Sequence, residues 1–113
     1  MEVVRSVALG AGLVLAGFAL ASCGSDDTAT PSDPVLAQGQ RVYDTNCASC
    51  HGRKGDGGLA PKLAGLMTSR YPDIADQEAV IANGRANMPG FAQRLSAEEI
   101  NAVARYEREF LGQ

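Results

Sequence analysis

The pentapeptide Cys47-Ala48-Ser49-Cys50-His51 constrains this chain more than any other stretch. Two thiols separated by two residues and followed at once by an imidazole form the pattern for covalent attachment of a c-type haem. The spacing has a mechanical reason. Sulfurs at that separation reach the two vinyl groups of one porphyrin edge, and the adjacent His falls beneath the iron, where its ring can bind. Thioether bonds then retain a cofactor that a small domain cannot fully enclose. Two other chemistries use the same residue types. A redox dithiol of Cys-x-x-Cys form sits at a helix start after a strand, and no such strand is legible here. A structural zinc site takes four protein ligands. His51 is the sole His, and the third Cys, Cys23, lies far upstream, so three ligands are at hand and no good fourth.

A chain of 113 residues holds one small domain plus extra pieces. A domain of roughly 80 residues buries only about 60–65% of its unfolded surface. Scaffolds of that size usually need a disulfide, a metal or a large apolar cofactor to complete the core. The aromatics after the leader are Tyr43, Tyr71, Phe91, Tyr106 and Phe110, with no Trp. Something besides side chains is expected to fill this core.

Charge is spread unevenly. From Val35 onward nine Lys and Arg face nine Asp and Glu, and the acidic excess sits in Glu2, Asp26, Asp27 and Asp33, offset by Arg5. No basic run points to nucleic acid, and a mixed, solvated surface is the expectation.

The amino terminus reads as a leader. Val7 to Leu20 is a continuous apolar run of about 14 residues, the size of a signal-peptide hydrophobic region and short of the roughly 20 needed to span a bilayer. It ends in Leu20-Ala21-Ser22-Cys23, which resembles the lipobox of bacterial lipoproteins: an aliphatic residue, two small ones, then the Cys. That resemblance implies a signal peptide over 1–22, cleaved before a lipidated Cys23. An uncleaved anchor helix with an incidental Cys and ordinary cleavage by the non-lipoprotein peptidase are the alternatives. One acyl chain would hold the protein only weakly, at about 0.8 kcal/mol per buried methylene, so stable anchoring needs two or three. Residues 23–34 then form the lipidated Cys and its linker. Gly24 to Pro34 holds turn and linker residues, with nothing to bury, and is expected as a flexible tether of about 17–20 Å r.m.s. span.

Residues 35–113 carry the domain. Asp33 as cap and Pro34 in the first turn start a helix that runs through Val35, Leu36, Gly39, Val42 and Tyr43. Cys47 to Gly58 is Gly-rich and more loop than helix, and Leu59 to Leu66 is broken by Pro and Gly. A short helix is expected over about Asp76 to Asn83, stopping before Gly84. Ser96-Ala97-Glu98-Glu99 is a capping box flanked by a Leu95/Ile100 staple, and Ile100, Val103, Ala104, Phe110 and Leu111 form the apolar stripe of a last helix. Nothing alternates well enough for a strand.

From Val35 to the carboxy terminus, then, the chain resembles a small bacterial class I cytochrome c. The residues that carry the likeness are the haem pentapeptide, Gly39 and Tyr43 before it, and Val103 and Tyr106 on the last helix. Two further segments join them, Pro61-Lys62-Leu63-Ala64-Gly65 and Met88-Pro89-Gly90-Phe91. The lack of Trp and a short central region favour a compact bacterial form. The resemblance implies an all-α fold of three to four helices and loops wrapped around one covalent haem c, with Gly39 letting the first helix approach the Tyr106 region. It also implies a Pro61 carbonyl that accepts from the His51 ring, and a distal-ligand loop at Met88. A carrier needs both axial positions filled in both oxidation states, and a soft thioether opposite the His favours the ferrous form. Of Met67 and Met88, Met88 lies in a loop ahead of Pro89, whereas Met67 beside Leu66 reads as core packing. Leu59, Leu63, Leu66, Phe91 and Val103 are the expected apolar haem lining, and Arg70, Tyr71 and Arg85 are candidates for the propionates.

The expected role is one-electron transfer with no catalysed bond change, outside the cytoplasm. The implied partners are a quinol-oxidising complex and a terminal oxidase or reductase, reached by a lipid-anchored monomer. Two other readings stay open: a haem enzyme or gas sensor with a labile sixth site, and a fixed subunit of a larger complex.

Overall fold

The structure, a computed structural model, describes residues 29–113. The leader and Cys23 lie outside the described residues. Five helical segments follow in order: α1 (Pro34–Asn46), α2 (Ala48–His51), α3 (Met67–Arg70), α4 (Ile74–Asn83) and α5 (Ala97–Glu109). Among the described residues there is no strand, only an isolated bridge between Arg85 and Met88. The fold is all-α, with three true helices, two single turns and long connections.

The three longer helices each start at a side-chain cap. Asp33 takes an extended conformation, and its carboxylate accepts from the backbone N–H groups of Val35 and Leu36 at 2.7 and 3.3 Å. These are two of the donors a helix start leaves unpaired. Asp73 does the same for Ala75 at 2.9 Å, so α4 begins two residues before the sequence reading placed it. At α5 the capping box is complete. Glu99 N–H donates to Ser96 Oγ at 3.2 Å, and Ser96 N–H donates to Glu99 Oε2 at 2.9 Å.

The core is the crossing of α1 and α5. Gly39 lies on the buried face of α1, and a Cβ there would stand 2.7 Å from Cβ of Tyr106. Only a residue without a side chain lets the two backbones come this close. Around the crossing Tyr43, Ala102, Val103, Ala104 and Tyr106 are fully buried, and the Tyr43 and Tyr106 rings meet at 5.6 Å between centroids. Helix α4 lies on α5 through Gln77 and Ile81.

Two expectations are corrected. The tether is not free throughout: Pro31 is buried, and Gln40 Nε2 donates to the Ala29 carbonyl at 3.4 Å, so its last residues lie on the domain. The segment after Cys47 is not loop from its start. Residues 48–51 form one helical turn that continues almost directly from α1, which ends with Cys47 N–H on the Tyr43 carbonyl.

Candidate functional site

The two Cys side chains of the pentapeptide project from the junction of α1 and α2. Cys47 is buried and Cys50 exposed, and both are free thiols. Burial, with the negative field of Glu107 beside it, pushes the Cys47 thiol up to about 12. A redox dithiol needs a low-pKa attacking thiolate. Cys47 has the opposite environment, which suits a sulfur that is to be alkylated once and then enclosed.

His51 closes α2 and is 9% exposed. Its Nδ1 lies 2.8 Å from the Pro61 carbonyl oxygen. A carbonyl only accepts, so this contact keeps the proton on Nδ1 and leaves the lone pair on Nε2. Such a hydrogen bond orients an imidazole and raises its basicity toward a metal. The loop that brings Pro61 here is held by its own backbone. Gly57 N–H donates to His51 O at 2.8 Å, Ala60 N–H to Cys50 O at 3.0 Å, and Leu63 N–H to Gly55 O at 2.9 Å. The Tyr43 hydroxyl donates to Gly52 O at 2.7 Å, tying α1 to the chain just past the His.

Met88 stands on a tight turn. Arg85 and Met88 exchange backbone hydrogen bonds at 3.1 and 2.9 Å, and Ala86 between them takes φ +50°. That turn is pinned to the end of α4 by Phe91 N–H on Ile81 O at 3.0 Å and Ala92 N–H on Ala82 O at 3.1 Å. Gly84 caps α4 at φ +78°, where an added Cβ would stand 2.7 Å from the Gly90 nitrogen. Met88 is half-buried and packs against the core cluster that also contains Cys47, whereas Met67 is 3% exposed inside that cluster.

Leu63, Phe91 and Val103 belong to the buried core, and Leu66 is partly buried against it. Leu59 does not join them. It is 90% exposed, next to Ala60, whose N–H donates to Cys50 O. Of the propionate candidates the structure joins two, with Arg85 Nη1 donating to the Tyr71 hydroxyl at 3.4 Å; Arg70 is exposed.

One cluster escaped the sequence reading. Gln77 and Glu107 are 2% and 5% exposed, and Gln77 Nε2 donates to Glu107 Oε2 at 2.8 Å. Gln77 Oε1 accepts from Arg108 Nη1 at 3.0 Å, and the same guanidinium reaches the Tyr71 and Pro72 carbonyls. Burial holds the Glu107 carboxyl far above its ordinary range, at about 7, with the Gln77 amide pulling weakly the other way. A hint was available: Glu107 directly follows Tyr106, on the apolar stripe of α5.

A porphyrin iron fits this donor set. Among the described residues no three His, Cys, Asp or Glu side chains converge to hold a metal ion by themselves. An imidazole with its Nε2 free and a thioether packed on the same core are donor types that electron-transfer haems use. Two free thiols at the junction of α1 and α2, with the ring of His51 next to the second, suit covalent attachment of a macrocycle.

Known proteins resemble this chain in sequence and in fold. The family model described as "Cytochrome C oxidase, cbb3-type, subunit III" matches residues 34–106. Cytochrome c-551 of Bacillus subtilis (strain 168) is 33% identical over 88 residues, covering 68% of this chain and 77% of its own. Cytochrome c6 of the diatom Phaeodactylum tricornutum superposes with a TM-score of 0.58 at 29% identity, over 65% of this chain and 90% of that one. Cytochrome cL of Methylophaga aminisulfidivorans MPT shares the fold with a TM-score of 0.61 at 22% identity. That match covers 73% of this chain, which spans 59% of that longer protein.

Proposed function

Because this chain belongs to the cbb3-type cytochrome c oxidase subunit III family of small c-type cytochromes, we propose that it relays single electrons to or within a membrane respiratory complex, with His51 and Met88 as the axial pair. Its cofactor is one covalent haem c. When bound, that group supplies the reversible one-electron centre. The protein supplies everything that keeps the centre in one state of ligation. Cys47 and Cys50 would hold the cofactor by thioethers, and His51 presents Nε2 with its ring fixed by Pro61. Met88 waits on a turn whose backbone is bonded at both ends. Leu63, Phe91 and Val103 of the buried core would help to keep water from the bound group. The single observation that carries this reading is the 2.8 Å contact between His51 Nδ1 and Pro61 O, which leaves only Nε2 available as a donor.

Cys50 is exposed, so a haem bound through it would present an edge at the surface for electron exchange. No covalent bond need change during transfer, so a preset axial pair keeps the reorganisation small. The partners we propose are a quinol-oxidising complex as donor and a terminal oxidase or reductase as acceptor. Among the described residues no helix is long and apolar enough to cross a membrane. Membrane attachment is assigned to Cys23, lipidated on the extracytoplasmic face, with the short tether raising the local concentration of the domain there. The oxidase-subunit match favours a second arrangement, a stably bound subunit in place of a shuttle; co-purification with an oxidase through detergent extraction would select it.

The test is Met88→Ala, measured by reduced-minus-oxidised spectra and potentiometry. The variant should bind carbon monoxide promptly when reduced and show a lowered potential, while the wild-type protein binds it poorly at neutral pH. A variant with wild-type spectrum and potential would refute the axial assignment. Prompt carbon monoxide binding by the wild type would favour a labile sixth site, as in a haem enzyme or gas sensor.

A further inference from the structure

The Gln77–Glu107–Arg108 cluster has no part in holding the cofactor, yet Glu107 directly follows Tyr106, whose ring meets that of Tyr43 at 5.6 Å, and Tyr43, Tyr106 and Cys47 share one buried cluster. Glu107 is on the buried face of α5, and its charge is felt by Tyr43 of α1 and by Cys47, the sulfur assigned to the haem bond. A group acting electrostatically on that sulfur acts on whatever the sulfur holds.

The surroundings of Glu107 do not neutralise it. From α4 the facing group is the Gln77 amide, a dipole without net charge. The other charged groups of that helix turn elsewhere: Asp76 is exposed, and Glu78 Oε1 accepts from Asn101 Nδ2 at 2.6 Å. From α1 the facing group is the Tyr43 phenol, whose ionisation burial has moved far above the ordinary range and whose hydroxyl is spent on Gly52. Asp44 is exposed. On α5 itself Tyr106 is buried, and the Arg108 guanidinium is engaged by Gln77 Oε1 and by the Tyr71 and Pro72 carbonyls. From the turn after α3, Tyr71 meets Arg85. Among the described residues the ion pairs of Asp33 and Glu109 with Arg105 do not involve Glu107. A buried carboxyl against an amide, with no cation paired to it there, is stable as the neutral acid and responds to any change of charge nearby.

We infer that Glu107 is a redox-linked proton site, whose carboxylate binds one proton when the protein is reduced and releases it when the protein is oxidised. The inference rests on the haem-carrier reading. The balance is simple: one electron arrives from the donor, one proton arrives from water onto a Glu107 carboxylate oxygen, and both leave on oxidation. The sign follows from charge. An added electron makes the surroundings more negative, so the carboxyl holds its proton to higher pH in the reduced protein. The Gln77 amide is fixed by Arg108 Nη1 on its oxygen and by the Ala104 carbonyl on its nitrogen, so it offers Glu107 a donor that favours the carboxylate against the cost of burial. Arg108 links that amide to the half-exposed surface. The potential should therefore fall as pH rises through the neutral region, with a slope below the one-proton limit of 59 mV per pH unit, which is the value of a tenfold change in proton activity for one electron.

The experiment is spectroelectrochemical titration of the purified holoprotein from about pH 5 to about pH 9, for wild type, Glu107→Gln and Glu107→Asp. The wild type should show the neutral-region slope, Glu107→Gln should lose it, and Glu107→Asp should restore part of it. A redox-difference infrared spectrum of the wild type near neutral pH should gain a carboxylic-acid band on reduction, absent in Glu107→Gln. This arm serves even if the variants fail to fold, since a wild type without such a band overturns the inference. A neutral-region slope that persists unchanged in Glu107→Gln belongs to other acids and also overturns it. Failure of the carrier reading looks different: no reversible one-electron couple at all, where failure of this inference leaves the couple intact with a potential insensitive to Glu107.

Discussion

Gly39→Ala tests the central packing claim with the smallest possible change. An alanine at this buried position of α1 places its Cβ 2.7 Å from Tyr106 Cβ and equally close to the carbonyl carbon of Ala102. Carbon atoms in contact normally stand about 3.5–4.0 Å apart, so α1 and α5 would have to part by roughly 1 Å. Neither obstacle can rotate aside. One is helix backbone, and the other is the Cβ of a tyrosine that is 1% exposed. Two effects oppose each other. Alanine is about 1 kcal/mol better than glycine in a helix interior, while overpacking a tight core costs about 1–3 kcal/mol and sometimes more. Because the clash is with backbone, the upper end applies, and the net loss should be about 2 kcal/mol. For a domain of this length that corresponds to a fall of roughly 8–16 °C in Tm. Guanidinium and thermal unfolding of the haem-loaded variant, followed by far-UV circular dichroism, measure it directly. A Gly39→Ala protein as stable as the wild type, or more so, would refute the reasoning, since propensity would then outweigh contact.

Ser96→Ala removes the side chain that accepts from Glu99 N–H and should cost about 1 kcal/mol in chemical denaturation, without changing the spectrum. Glu107 gives stability its pH dependence: its carboxyl sits above the unfolded value of 4.5, so the native state binds more protons and loses stability as pH rises from about 4.5 to about 7. That loss is about 3 kcal/mol, and Glu107→Gln should flatten it; a wild-type protein that gains stability over that interval would contradict the assignment. Cys23→Ala should release the mature protein from the membrane fraction into the aqueous phase of a detergent partition, with its haem spectrum intact; retention in the membrane would sink the lipid-anchor proposal.

Short-range chemistry was readable directly. Asp33-Pro34, the Ser96 capping box and the glycine after Asn83 act within a few residues, and the helices begin and end by them, α4 starting two residues early because Asp73 also caps. The haem pentapeptide is likewise local, since its meaning lies in the spacing of two thiols and a ring along one turn. Leu59 shows where local reading stops. It is hydrophobic, yet it stays 90% exposed instead of joining the protein core, beside a loop whose Ala60 N–H donates to Cys50 O.

From residue order alone came the helix starts and stops, the need for a cofactor to complete a small core, and the atoms able to hold it, because each depends on neighbours a few positions away. Tertiary structure alone decided that Gln77 and Glu107, 30 residues apart, share a hydrogen bond at 2.8 Å in the interior. It also set the Met88 turn against α4 and brought Pro61 to His51. Such pairings are set by how α4, α5 and the loops pack, and whether a polar side chain meets water or another buried dipole depends on that packing.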